Sequence, residues 1–539
     1  MAIYQSSKPA FPRSLDIEDR MINKALEKLN VFRQNLYHLF PKRRDAILNL
    51  IDAISSYGHK SNSVVELSEA PLFERKYSSI TDAISEGLPH SEKEKIKHLI
   101  FESCKPVPEK VIQLSVDCTN NNRQFSKTLT DRSMVHAPNP APGNRPVCVG
   151  HQYSMVGLHP SCEKEKKKHW LLPLSMERVD SSQKGNEFGM RQVLNLIETL
   201  GLKGKLVLNT GDSLYASDNC RKTAVENDDL VQAFRMRNNR TVFSKPKYDE
   251  HSKQRLGRKK LYGKKMTLAE SNTHFESSTQ ETLSYTTPKG QIYQVKLEQW
   301  NDVLIKGSKK FQSHEHPINL VKVIIFDEKN NEVFKRPLWI GVLGQRKNEL
   351  SMETIYTAYR ERYDLEHFFR FGKQKLLLAT YQTFDTSHEE EWWRVVMLSY
   401  VQLYLANQST SLLPKPWEKY LPEYKQERTL GCATPTQVQR NFEDILLNVG
   451  SPAINAIPRG NPKGRQAGEV QIKRDKQSIH FKSKKRTPGK DKYNKTSSEE
   501  TAKKSKPLKI EDLLNEVKKG LKTLNISHDE FANQLLEPT

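Results

Sequence analysis

No stretch of this chain approaches the roughly 20 consecutive apolar residues that a bilayer-spanning helix needs, although 36% of its 539 residues are hydrophobic. Met1 to Arg20 mix polar, proline and acidic side chains and lack the apolar centre and small-residue cleavage site of a secretory signal. The expectation is a cytoplasmic protein with no membrane partner. Cysteine is scarce: Cys104, Cys118, Cys148, Cys162, Cys220 and Cys432 are scattered, with no paired spacing for zinc or a disulfide framework. Internal repeats are lacking, as is a basic amphipathic segment suited to an acidic membrane surface. Acidic residues are also in deficit. The 64 Asp and Glu face 86 Lys and Arg, and the resulting net charge of +22 favours a polyanionic partner, nucleic acid first, through phosphate neutralisation and counterion release.

A chain this long exceeds one ordinary core. Residues 1–105 read as a helical N-terminal domain, because Met21, Ile22, Ala25, Leu26 and Leu29 recur at helix spacing and Asp45 to Ser55 repeats the pattern. Residues 106–241 read as three strands, a helix and two strands: Val111 to Val116 ending on Asp117, Pro146 to Leu158, Lys168 to Val179, a helix from Phe188 to Leu200, Lys205 to Asn209 running into Asp212, and Leu230 to Met236. This series predicts an α/β core with a mixed sheet and an active site at strand ends. Residues 242–350 open with a basic loop containing Lys245, Lys247, Lys253, Arg255, Arg258, Lys259 and Lys260 and continue as a β-rich insertion expected to stand apart from the central sheet. Residues 351–457 are helical again. In residues 458–539, Arg459 to Lys509 carries 17 basic and 5 acidic residues and few bulky apolar ones, which predicts a mobile basic tail, with Lys509 to Leu524 as a short helix.

The most informative segment is TIYTAYRERYDLEHFFRFGKQKLLL, in which Tyr359, Arg362, Glu366 and Lys373 are separated by two, three and six residues. On a single helix, at about 100° per residue, the four fall within roughly 60° of arc, while Leu365, Phe368 and Phe371 point away. A carboxylate between cations on one face suits a metal and its neighbouring phosphates. An Arg–Glu pair alone is commonly a surface ion pair worth a few tenths of a kcal/mol; the full spacing is expected by accident on the order of once in a hundred such chains. Asp117 follows the apolar run LSV, and Asp212 sits in LVLNTGDSLY, where the glycine is expected to permit a tight turn. Either aspartate alone suits a turn or helix cap. Together with Glu366 they form a set of carboxylates that could hold two magnesium ions, one activating the attacking oxygen and one stabilising the leaving oxygen.

Over about Val111 to Ala406 the sequence resembles the DDE transposases of bacterial insertion sequences, in the branch with a Tyr-Arg-Glu-Lys signature. Tyr359, Arg362, Glu366 and Lys373 match that signature in type and spacing, and VDCTNNNRQFSKTLTDRSMVH and NTGDSLYASDNC look like the segments around its two aspartates. The resemblance implies a ribonuclease-H-like catalytic core with a β-rich insertion and two Mg²⁺ or Mn²⁺ ions held by Asp117, Asp212 and Glu366. It implies that Tyr359, Arg362 and Lys373 contact transposon-end DNA. The implied partners are double-stranded DNA, as terminal inverted repeats and target, and a second copy of the chain in a synaptic dimer. Some relatives flip a base near the cut; Trp300 and Trp339 are the aromatic candidates for holding one.

The remaining features take ordinary readings. His151 and His159 read as structural, Trp392 and Trp393 as core, and Glu389 to Glu391 as a solvated helix start. Asp131 and Asp218 are the nearest substitutes for the two aspartates. The N-terminal helices are candidates for reading terminal repeats, and the tail reads equally as a nonspecific DNA arm or a solubilising end. The rival readings are a nuclease without strand transfer and a domesticated, inactive DNA-binding protein. Inverted repeats and a short target duplication in the flanking DNA would separate a mobile element from the latter.

Overall fold

Among the described residues, four helices come first: α1 (Asp16–Leu39), α2 (Arg44–Tyr57), α3 (Ser78–Glu86) and α4 (Lys93–Ser103). Helix α2 is apolar on most sides, with Ile47, Leu48, Leu50, Ile51 and Ile54 all buried, so it must be covered by other helices. The computed structural model describes residues 16–87, 90–104, 111–137, 146–160, 170–246, 260–287, 290–412, 431–457, 464, 466–470 and 473–481. Most of the basic loop, Lys247 to Lys259, most of the tail and its expected helix at Lys509 to Leu524 lie outside them. No helix among the described residues is long and apolar enough to cross a membrane.

The sheet begins with β1 (Val111–Asn122), β2 (Ser133–His136), β3 (Val147–Leu158) and β4 (Leu172–Val179), followed by α5 (Gly185–Thr199), β5 (Leu206–Gly211), α6 (Asp218–Ala224) and β6 (Leu230–Met236). Strand β3 lies antiparallel between β1 and β4, β5 runs parallel to β1, and β6 runs parallel to β5. This mixed α/β order is consistent with a ribonuclease-H-like core. Strand β5 shows why its sequence is apolar throughout: Val207 belongs to one hydrophobic core while Leu206 and Leu208 belong to the core on the opposite face.

The insertion does not stand apart. Its strands are β7 (Thr241–Phe243), β8 (Lys265–Thr267), β9 (Thr279–Thr286), β10 (Ile292–Ile305), β11 (Ile318–Phe326) and β12 (Leu338–Leu343). Strand β12 pairs antiparallel with β6, Trp339 opposite Met236, and β11 and β10 continue from it, giving twelve strands linked by pairing. The expectation of a separate β-rich piece is corrected for a simple reason: β6 offers an unpaired backbone edge, and β12 satisfies it.

Helices α7 (Met352–Glu361), α8 (Tyr363–Lys375), α9 (Thr386–Leu405), α10 (Asn407–Leu412), α11 (Pro435–Arg440) and α12 (Phe442–Val449) complete the described elements. Helix α9 packs against α2, α1 and α3, so the stretch read as an N-terminal domain shares its core with the C-terminal helices. Arg33 of α1 ties the seam together: it is fully buried, ion-paired with Asp52, and donates to Gln402 Oε1 at 3.0 Å and to the Gly450 carbonyl at 3.2 Å. The chain up to Phe481 clusters as one unit.

Residues 473–481 depart from the expectation of a largely mobile tail. Gln477 N–H donates to the Lys127 carbonyl at 2.9 Å and His480 N–H to the Arg132 carbonyl at 2.7 Å, and Ser133 and His480 form a parallel bridge beside β2. Backbone hydrogen bonding to an open edge needs little apolar side-chain area, so composition did not reveal it.

Candidate active site

Asp117 was expected at the end of a strand, yet β1 continues past it to Asn122, and Asp117 lies opposite Met155 of β3. What ends near it is the parallel neighbour. The last pair between β1 and β5 is Ser115 with Thr210, and two residues farther along each strand come Asp117 and Asp212. Two aspartates are thereby delivered side by side where β5 stops. Gly211, immediately before Asp212, is not a positive-φ turn residue; it keeps space for Tyr215, whose ring a Cβ at 211 would meet at 2.6 Å. The Asp212 carboxylate accepts from Leu214 N–H at 2.8 Å, which fixes the loop leaving β5.

The signature segment is not one straight helix. It breaks between α7 and α8 at Arg362, whose backbone remains right-handed while Leu365 N–H bonds back to the Arg362 carbonyl. Leu365 and Phe368 are buried in the core, as their opposite face requires. The polar face is not left to solvent: it lies over β1. The Arg362 guanidinium donates to Asp117 Oδ2 at 3.1 Å and to Glu366 Oε1 at 3.3 Å, bridging strand and helix. Lys373 Nζ donates to Thr119 Oγ1 at 2.8 Å and to the Asn120 carbonyl at 3.0 Å. Tyr359 is buried rather than exposed, with the Arg362 guanidinium 5.6 Å from its ring centroid.

The charges of Asp212 and Glu366 both act on Asp117. Burial pushes the Asp117 carboxyl up to about 6, with Arg362 and the Cys118 N–H opposing the shift and the charges of Asp212 and Glu366 adding to it. Burial likewise drives the neighbouring Cys118 thiol up to about 12. Burial lowers Lys373. For Arg362 burial acts downward, but Tyr359, Asp117, Glu366 and Asp212 outweigh it and hold the guanidinium charged. Its Nε has no hydrogen-bond partner among the described residues.

The other candidates fall elsewhere. Asp131 is ion-paired with Arg178, and Asp218 with Arg221 at the start of α6. Trp300 and Trp339 are both buried, 5.5 Å apart between ring centroids in the core beneath β10 and β12, so neither is open to receive a flipped base. His159 is buried with Nε2 2.7 Å from Ser115 Oγ. Trp392 and Trp393 are core, Trp393 stacked on Tyr153 at 3.7 Å. Glu389, read as part of a solvated helix start, is instead fully buried, and Glu391 is nearly so. Burial would raise the Glu389 carboxyl, but His151, Arg123 and Tyr153 outweigh it and hold it below its usual range. Helix-start position hid this, because those partners come from β3 and the loop after β1. The sequence reading also missed Thr119 and Asn120 as partners of Lys373: the run Cys-Thr-Asn-Asn-Asn looks like a turn, but pairing with β3 keeps it extended.

The family described as DDE superfamily endonuclease matches residues 35–299. Over this stretch the chain is similar to the DDE endonuclease superfamily. A comparison with curated proteins finds no match. The DDE endonuclease match includes Asp117 and Asp212 and ends before the Tyr-Arg-Glu-Lys segment, and it supports a nuclease-type enzyme. DDE endonucleases generally use divalent metals. The three carboxylates fit such ions in kind, being all-oxygen donors, and the rise of Asp117, caused first by burial, is increased by the charges of the other two. Among the described residues, however, no three Asp, Glu, His or Cys side chains are gathered as a metal-holding group. Between Asp117 and Glu366 the cation at hand is Arg362.

Proposed function

We propose that this DDE endonuclease is a DNA transposase that cuts phosphodiester bonds at the ends of its element and joins the freed strand to target DNA. Asp117, Asp212 and Glu366 would be the catalytic metal-holding carboxylates, and Tyr359, Arg362 and Lys373 the residues that place the DNA end. The observation that carries this reading is the Arg362 bridge between Asp117 and Glu366, with Asp212 acting on the same Asp117 carboxyl. Asp117 and Glu366, from distant parts of the chain, share a largely buried arginine, and a phosphate flanked by divalent cations can take over that neutralisation.

Bound Mg²⁺ or Mn²⁺ would supply activation of the attacking oxygen and charge neutralisation on the leaving one. The chain's own residues position and select. Arg362 would turn its guanidinium from the carboxylates to the scissile phosphate, meeting with an oxygen the hydrogen-bonding capacity left unused at Nε. Lys373 keeps α8 fastened to β1, so Glu366 stays in reach of Asp117. In the first step water attacks phosphorus and the P–O3′ bond breaks, leaving a 3′ hydroxyl on one side and a 5′ phosphate on the other. In the second step that 3′ hydroxyl attacks a target phosphodiester, one P–O bond forming as another breaks. Joining two ends calls for two copies of the chain in one synaptic complex.

The test is magnesium-dependent cleavage of a labelled duplex carrying the DNA that flanks the coding sequence. Glu366→Gln is expected to bind that duplex as the native protein does and to lose cleavage, and chelation of divalent ions is expected to silence the native protein. Equal cleavage by both proteins removes Glu366 from the site. Cleavage without any joined product leaves a nuclease and overturns the transposase reading.

A further inference from the structure

Immediately beyond Asp212 the surface becomes concave and basic. Ser213, Arg235, Arg237, Asn238, Asn239 and Arg336 line an open cleft of about 500 Å³. A second cleft of about 440 Å³ adjoins it, sharing Asn238, Asn239 and Arg336 and adding Lys322, Lys335 and Glu332. Five cations thus face one carboxylate. Lys322 is held by Glu298 at 3.0 Å, but Arg235, Arg237, Lys335 and Arg336 have no carboxylate partner among the described residues. Nearby cations are treated differently: Arg346 is paired with both Asp229 and Glu349. Keeping four unneutralised cations together costs mutual repulsion, which a polyanion bound along them relieves.

The cleft starts one residue beyond Asp212. Ser213 follows Asp212 in the chain, and Arg237 Nε donates to Ser213 Oγ at 3.1 Å. Arg235 acts electrostatically on Tyr359, which packs against Arg362. Arg235 and Arg237 come from the end of β6, while Lys335 and Arg336 come from the turn before β12, so the pairing of the insertion with β6 builds the cleft. Both hollows are open, and the first is lined almost wholly by polar and cationic side chains, which suits an extended chain of phosphates rather than an enclosed small molecule.

We propose that this cleft carries the sugar–phosphate backbone of the DNA strand that enters the carboxylate site, with Arg237 and Arg336 each neutralising a phosphate. The proposal rests on the reading of the protein as a DNA-cutting enzyme and adds the path of the strand. It is tested in the full chain carrying Glu366→Gln, so that the duplex stays intact, by measuring binding to the flanking-DNA duplex across salt concentrations. Adding Arg237→Ala and Arg336→Ala is expected to lower the slope of log K against log salt by about 2, near 0.9 per lost phosphate contact. Lysines at both positions are expected to restore it. Phosphate-ethylation interference on the strand next to the cut is expected in the parent and absent in the double alanine variant. An unchanged slope overturns the cleft while leaving the enzyme reading in place, and failure of the parent to bind any duplex overturns both. If inorganic phosphate, matched to chloride in ionic strength, erases the difference between parent and variant, the cleft is a free-anion site and the proposal falls.

Discussion

The Arg362 guanidinium touches Asp117 and Glu366 at once, and each contact has a different origin. The one to Glu366 is a spacing of four along the chain, visible in the sequence. The one to Asp117 spans the fold, and only it makes Arg362 more than a surface ion pair. Replacing Arg362 with Ala is expected to lower single-turnover cleavage about 100-fold, and Lys is not expected to restore it, because one ammonium cannot make the forked contact to two carboxylates or a phosphate. Full activity of Arg362→Lys would show that a point charge is enough. Burial tells a similar story at Tyr359 and Glu389. Residue type marks both as polar, yet tertiary contacts enclose them, Tyr359 beside Arg362 and Glu389 among Arg123, His151 and Tyr153.

Among elements, the attachment of α4 to β4 has a measurable pH signature. Burial alone would raise the Glu177 carboxyl, but Lys97, Ser175 and Lys93 outweigh it and depress it from 4.5 to about 2. A depressed folded value contributes stability above the unfolded value, and that stability is lost as pH falls from about 4.5 towards 2. Glu177→Gln is therefore expected to destabilise the chain by about 2 kcal/mol at pH 7, after allowance for partial exposure of the pair. In urea titrations the gap from the native protein should close below pH 4.5; a constant gap would mean that packing, not charge, was lost. Helical and strand periodicity located β6 and α5 well, because each is buried on a regular face. It misplaced the end of β1, since Thr119 to Asn122 are polar and owe their extension to pairing with β3.

For the molecule as a whole, the decisive feature is the closure of the N-terminal helices on α9 through Arg33. Arg33→Met leaves Asp52 buried without its cation and is expected to cost about 3 kcal/mol, whereas Arg33→Met with Asp52→Leu should recover much of that loss. Chemical denaturation checks both, and a separate early transition of the N-terminal helices would contradict a shared core. The sequence by itself determined the basic character, the alternation of strand and helix, and the identity of Asp117, Asp212 and Glu366 as candidates, because charge, periodicity and spacing are local properties of the chain. Tertiary structure alone decided that β12 extends the sheet from β6, that Trp300 and Trp339 are interior, and that Arg362 joins two carboxylates remote from each other in sequence. Those outcomes depend on which backbone edge is left open and which groups are driven together out of water, and no local pattern encodes either.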